Sequence, residues 1–127
     1  MNCQDENDRK SFIQSFLACS LWASMDESTP QGGVSMDSNY TVNDFATEAK
    51  TNVETACNAF MDANEANLKD YPAGDAGHDF FLTSGHHGCG FWENDFGTKE
   101  QCDSLTKAAH AVGEFSLYVG DDGKIHV

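Results

Sequence analysis

Residues 77–92 read GHDFFLTSGHHGCGFW, and the conformation assigned to this stretch decides the fold. His78 to Thr83 is short and aromatic, and the preceding YPAGDAG (71–77) carries a proline and two glycines that read as a helix stop. A strand over His78–Thr83, a turn at SGHHGCG and a returning strand at Gly90–Trp92 follow from that reading. Glycines 85, 88 and 90 suit a turn that needs positive φ or close backbone approach. The stretch is therefore expected to be a structural β-hairpin.

Working outward, Phe12, Phe16 and Cys19 fall at helical spacing, and Ile13, Leu17 and Leu21 widen the same stripe. An amphipathic helix from about Arg9 to Met25 is expected. DESTPQGGVSMDSNYT follows as a loop, with Ser28–Val34 as its expected mobile part. Thr41 to Asp44 resembles a capping signature, so a second helical region is placed from Val42 to about Leu68, interrupted near Thr47. Its buried face would use Phe45, Ala49, Val53, Ala56 or Cys57, Phe60 and Leu68. Lys99–Val112 is helical, with Cys102, Leu105, Ala109 and Val112 on one stripe and Gly113 as its stop. Alternating Phe115, Leu117 and Val119, a GDDG turn, and then Ile125 and Val127 specify a terminal hairpin. The order α-α-β-β-α-β-β gives a single α+β domain over residues 1–127, three helices on a small antiparallel sheet of about four strands.

Composition bounds the function. The chain has 127 residues, 39% of them hydrophobic with nine Phe, which supports a packed core. Asp and Glu number 21 against 7 Lys and Arg, a formal net charge of -14. Direct nucleic-acid binding is excluded, because phosphates would be repelled, and a basic protein surface fits better. Five cysteines without a CxxC pair suggest reduced, mostly buried thiols. The start, MNCQDENDRK, has no apolar signal region, and no segment is apolar enough to span a membrane. A cytoplasmic protein is expected.

The segments GHDFFLTSGHHGCGFWE and SLTKAAHAVGEFSLYVGDDGKIHV resemble a family of small bacteriophage and prophage proteins. That family carries GHDFWLT…GHGxGFWD, LTKAAK and LYVGDDGKIY blocks. FLACSLWASMDES and SNYTVNDFA resemble it too, so the likeness runs from about Phe16 to His126. It implies a viral origin and an accessory gene product. The sequence departs from the family where Arg-Asn-Gly is replaced by Ser84, Gly85 and His86. His87 takes the family histidine position, Phe81 replaces a tryptophan, and Cys89 fills a small-residue position.

Several site chemistries can be weighed on these residues. Zinc needs three or four ligands in tetrahedral array, but strand alternation sends His78 and Asp79 to opposite faces. No metal is expected. Cys89 with His87 or His78 as base would need a nearby cation to hold the thiolate, and none is local. GxSxG, Walker and dinucleotide fingerprints are missing, so no catalytic residue and no cofactor are expected. Of Phe80, Phe81, Phe91 and Trp92, at least two belong to the core. A ligand pocket at the sheet edge would use His78, Thr83, His87 and Trp92.

An excess of 14 negative charges is more than solubility requires. The leading expectation is a phage accessory protein that binds and blocks a basic host protein in the bacterial cytoplasm, its carboxylates taking the place of nucleic-acid phosphates. Partner-binding candidates are Glu48, Glu54, Asp62, Glu65 and Asp70, and a second group at Glu93, Asp95, Glu100 and Asp103. The alternatives are a small-molecule or nucleotide-signal binder at the aromatic–histidine stretch, and a metal-dependent enzyme there.

Overall fold

The structure is a computed structural model that describes residues 1–28 and 33–127. The expected mobile segment Ser28–Val34 falls mainly on residues 29–32, outside the described residues. Helix α1 spans Glu6–Ala23, α2 Thr47–Ala63, α3 Glu65–Leu68, α4 Ala73–Ser84 and α5 Lys99–Val112. Single turns of 3-10 helix occur at Met36–Ser38, Val42–Asp44 and Phe91–Glu93. Strands β1 (Met25–Asp26) and β2 (Val34–Ser35) form one antiparallel ribbon, and β3 (Tyr118–Val119) and β4 (Ile125–His126) form another.

The expected fold of three helices on a four-stranded sheet is overturned: five α-helices and two separate two-stranded ribbons take its place among the described residues. The cause lies in the opening stretch. His78–Thr83 is the second half of α4, and Gly90–Trp92 runs into a 3-10 turn, so neither is a strand. Ala73, Ala76, Gly77, Phe80, Phe81 and Ser84 recur at the three- and four-residue intervals of a helix face, and all but Ala73 are buried. The loop reading of YPAGDAG hid that stripe. Pro72 stands at the N-cap of α4, where its missing N–H costs nothing, rather than at the end of a helix.

Gly77 is a contact residue. A Cβ built on it would lie 2.0 Å from the backbone oxygen of Phe12 in α1. Helices α1 and α4 meet there at a separation only glycine permits, and this seam is the centre of the core. Phe80 sits in it with ring centroids 5.8 Å from Phe12, 5.5 Å from Phe16, 4.1 Å from Phe60 and 5.9 Å from Phe115. Offset and edge contacts of this kind add to the area each ring buries.

Other expectations fared better. The first helix is found three residues earlier than expected, because Asp5 caps it by accepting from Asn7 N at 2.8 Å. Thr41–Asp44 does form a capping box, but on the 3-10 turn; the chain then extends through Phe45 and Ala46 before α2 begins. Ala46 N donates there to Ile125 O at 2.9 Å, which ties α2 to the terminal ribbon. On α2, Ala49, Val53, Cys57 and Phe60 are buried, with Cys57 taking the place left open between it and Ala56. Helix α5 has the expected bounds and ends at Gly113, whose φ is 90°. Val112 is exposed rather than on its buried stripe. The terminal hairpin forms with Val119 opposite Ile125, although its paired part is two residues long.

Candidate functional site

The four residues assigned to a sheet-edge pocket do not converge. Thr83 is 1% exposed, and its Oγ1 accepts from Phe91 N at 3.0 Å. It pins the loop after α4 and has no free face for a ligand. A Cβ on Gly90 would lie 2.2 Å from that oxygen, so the glycine is required by the same contact. His78 is exposed and stacks on Trp22 of α1, with centroids 6.2 Å apart. His87 is half-buried against Phe81 and lines a recess of about 250 Å³ with Glu27, Glu114 and Phe115. Trp92 is 47% exposed and does not line that recess.

Loss of the hairpin also changes the histidine question. His86 takes a positive φ of 57° and stacks on His110 of α5 at 4.2 Å, while His87 N donates to Leu82 O at 2.9 Å. Among the described residues, no group of three His, Cys, Asp or Glu side chains is placed to hold a metal. All five cysteines are free, and only Cys89 is exposed. Burial first, then Asp79 and Cys89 close by, raise the Cys19 thiol to about 12. Such a thiol stays protonated and unreactive at neutral pH.

The fold assembles a different constellation around Tyr71 and Asp79. Tyr71 is 1% exposed, its ring packed edge-on against Phe91 and Phe96 at 5.2 and 5.0 Å. Its hydroxyl donates to Asp79 Oδ2 at 2.5 Å. Burial pushes the Asp79 carboxyl above its ordinary value; the Tyr71 hydroxyl and His78 oppose the shift, and Asp75 and Glu93 reinforce it. The Tyr71 hydroxyl is raised as well, by burial first and then by Asp79, with Asp95 among the smaller causes.

Asp75 and Glu93 thus act on Asp79, and Asp95 on Tyr71, so these acids neighbour the Tyr71–Asp79 hydrogen bond. Asp70 immediately precedes Tyr71 and accepts from Gln101 Nε2 of α5 at 3.4 Å. Each acid is positioned by local structure. Asp75 and Asp79 lie one turn apart on α4. Glu93 accepts from Gly90 N at 3.1 Å in the 3-10 turn, and Asp70 lies beside Gly97 at the start of α5. None of the five forms an ion pair among the described residues. Asp75 and Asp79 were missed in the sequence reading because a strand–loop assignment separates them; an i,i+4 acidic pair on a helix was the available signal.

The candidate carboxylates on α2 and α3 behave differently. Asp62 pairs with Arg9, Glu65 accepts from Gln4 Nε2 at 3.2 Å, and Glu54 faces a groove shared with Arg9, Lys10 and Lys50. Glu48 is exposed in the first turn of α2. In the second group, Asp103 pairs with Lys99 at 2.8 Å and Glu100 is exposed in the first turn of α5. No helix among the described residues is long and apolar enough to cross a membrane. Comparison with protein-family models, curated proteins and solved structures finds no match to this chain.

Proposed function

We propose that the protein is a non-enzymatic phage accessory protein that binds a basic surface of a bacterial host protein and blocks it, its carboxylates occupying positions that phosphates would take. The observation that carries this reading is the group of acids without ion pairs, Asp70, Asp75, Asp79, Glu93 and Asp95, drawn from three stretches of chain around the Tyr71–Asp79 hydrogen bond. Acid scattered evenly over a surface only solvates it; acid gathered without ion-pair partners makes the local potential more negative and steers a cationic partner. Trp92 borders the same 3-10 turn and is half exposed, an aromatic of the kind that anchors protein interfaces.

The test is affinity capture from a bacterial lysate with three proteins: wild type, a variant carrying Asp75→Asn, Glu93→Gln and Asp95→Asn, and a control carrying Glu48→Gln, Glu54→Gln and Glu65→Gln. A partner retained by wild type and control but lost by the first variant supports the reading. A partner lost equally with both, or captured unchanged at high salt, overturns it.

A further inference from the structure

Three of the chain's seven basic residues, Arg9, Lys10 and Lys50, line one groove of about 530 Å³ between α1 and α2. Ile13, Gln14, Asn58, Glu6 and Glu54 complete its walls. That volume is in the range of small-molecule sites. A concentration of cations is unexpected on a chain of net charge -14, and the three have different roles.

Arg9 is a fixed wall. Its Nε donates to Cys3 O at 2.6 Å, one terminal nitrogen donates to Asn58 Oδ1 at 3.0 Å, and the other donates to Asp62. Three of its five N–H donors are held by the protein, which fixes the guanidinium in the groove wall, and a guanidinium plane stacks on aromatic rings. Lys10 is loosely engaged by Glu6 at 3.6 Å, and both side chains are largely exposed. Such a pair is weak and yields readily to a better anion. Lys50 is half-buried and makes no ion pair or hydrogen bond with its side chain among the described residues. The groove thus combines a held planar cation, an apolar patch at Ile13 and an uncommitted ammonium.

We propose that the α1–α2 groove binds a flat aromatic molecule carrying an anionic group, with the ring on Arg9 and Ile13 and the anion on Lys50, assisted by Lys10. Glu54, one turn from Lys50, opposes the anion and sets an upper limit on affinity. This site is independent of the acidic face, so either assignment stands or fails alone.

The experiment is an amide NMR titration of the full chain with 1-naphthyl phosphate, 1-naphthoate, inorganic phosphate and 1-naphthalenemethanol as separate arms. The expected result is saturable shifts confined to residues around Lys10, Ile13, Lys50 and Asn58 with at least one of the two aromatic anions. The neutral alcohol should bind about tenfold or more weaker, since a hydrogen bond to a charged group is worth that factor or more, and phosphate alone should bind about tenfold or more weaker because it forfeits the stacking and apolar burial of the ring. Which aromatic anion binds better separates a phosphate from a carboxylate ligand. Lys50→Met, which keeps the apolar stem, should weaken binding about tenfold, and Glu54→Gln should tighten it. Non-saturating shifts, shifts centred elsewhere, or unchanged affinity in a folded Lys50→Met protein would overturn the site. Should Lys50→Met unfold, Lys10→Met and Glu54→Gln together decide it: no change in affinity in either is a negative result.

Discussion

Carboxylates occupy both the α1–α2 face and the face built from α4, the Phe91–Glu93 turn and the start of α5, but the fold answers them differently. On the first face Asp62 meets Arg9, Glu6 meets Lys10, and Glu54 shares a groove with Lys50. On the second, Asp70, Asp79 and Glu93 accept hydrogen bonds from neutral donors, and none of Asp70, Asp75, Asp79, Glu93 and Asp95 forms an ion pair among the described residues, although Lys99 pairs with Asp103 at the start of α5. Net charge alone does not distinguish these faces. The placement of Arg9, Lys10 and Lys50 does, because all three line the first face and none of the five acids of the second forms an ion pair among the described residues.

Both faces hang on the α1–α4 seam, so the largest expected effect is there. Gly77→Ala would put a methyl 2.0 Å from Phe12 O, a backbone atom that cannot swing aside. Overpacking of this kind costs roughly 1–3 kcal/mol, more than the ~1 kcal/mol that alanine gains over glycine in a helix. A clear fall in the urea midpoint is expected. Gly74→Ala is the control, because its Cβ would meet only the Ser15 hydroxyl at 3.1 Å, the end of a movable side chain. Equal midpoints for the two variants would break the account of the seam.

The next effect tests the neutralised face. Arg9→Met removes a side chain that ties Cys3 O, Asn58 and Asp62 together, and charge-assisted hydrogen bonds contribute ~1.5–3 kcal/mol each when buried, less at a partly exposed site. Chemical denaturation should show a loss of about 1–2 kcal/mol. No loss would mean that Arg9 is a surface cation like the others and that the two faces are less different than the geometry makes them.

Asp79 gives the charged face its pH dependence. Its pKa is raised on folding, so the folded state binds the proton more tightly than the unfolded chain does. The contribution of Asp79 to stability is therefore complete below the unfolded carboxyl pKa near 4 and is lost as pH rises through the higher folded value. Asp79→Asn removes that slope while its amide oxygen still accepts from Tyr71. The stability difference, variant minus wild type, should grow more positive between about pH 4 and pH 7. A difference that stays flat with pH would show that Asp79 carries no unfavourable charge in the folded protein.

How much of this was legible in the sequence follows from what each element depends on. Helices α1, α2 and α5 and the terminal hairpin carry their own signals: apolar residues at helical period, a Thr98–Gln101 capping box at α5, Gly113, and the GDDG turn. Helix α4 did not, because its stripe is made of alanine, glycine and serine as much as phenylalanine, and its glycines read as breakers. Gly77 is required by the oxygen of Phe12, a residue 65 positions away, and no local pattern reports that contact. The candidate site shared the error. Thr83 and His78 were grouped on a strand edge, whereas the helix turns Thr83 inward and leaves His78 outside against Trp22. Glu93 and Asp95 were grouped with Glu100 and Asp103 as partner-binding candidates, and Asp75 and Asp79 join the first two only once α4 exists.

The smallest expected effect is also the most direct test of the difference between the faces. Neutralising an acid that has no counter-ion relieves repulsion, whereas neutralising one that has a counter-ion removes attraction. Asp75→Asn and Asp95→Asn should each raise stability by a few tenths of a kcal/mol, the usual size of surface charge effects, while Asp62→Asn should lower it by a similar or larger amount. Salt separates these from changes in packing. The Debye length falls from about 30 Å at 0.01 M to about 3 Å at 1 M, so raising sodium chloride across that range should stabilise wild type more than it stabilises the Asp75→Asn, Asp95→Asn double variant. The same screen should diminish the cost of Asp62→Asn. Thermal denaturation of the five proteins at both salt concentrations measures all of these differences. If the acid-face variants lose stability, or if salt shifts every protein by the same amount, then Asp75 and Asp95 are satisfied by their surroundings. The charged face would then have no stored repulsion for a basic partner to relieve.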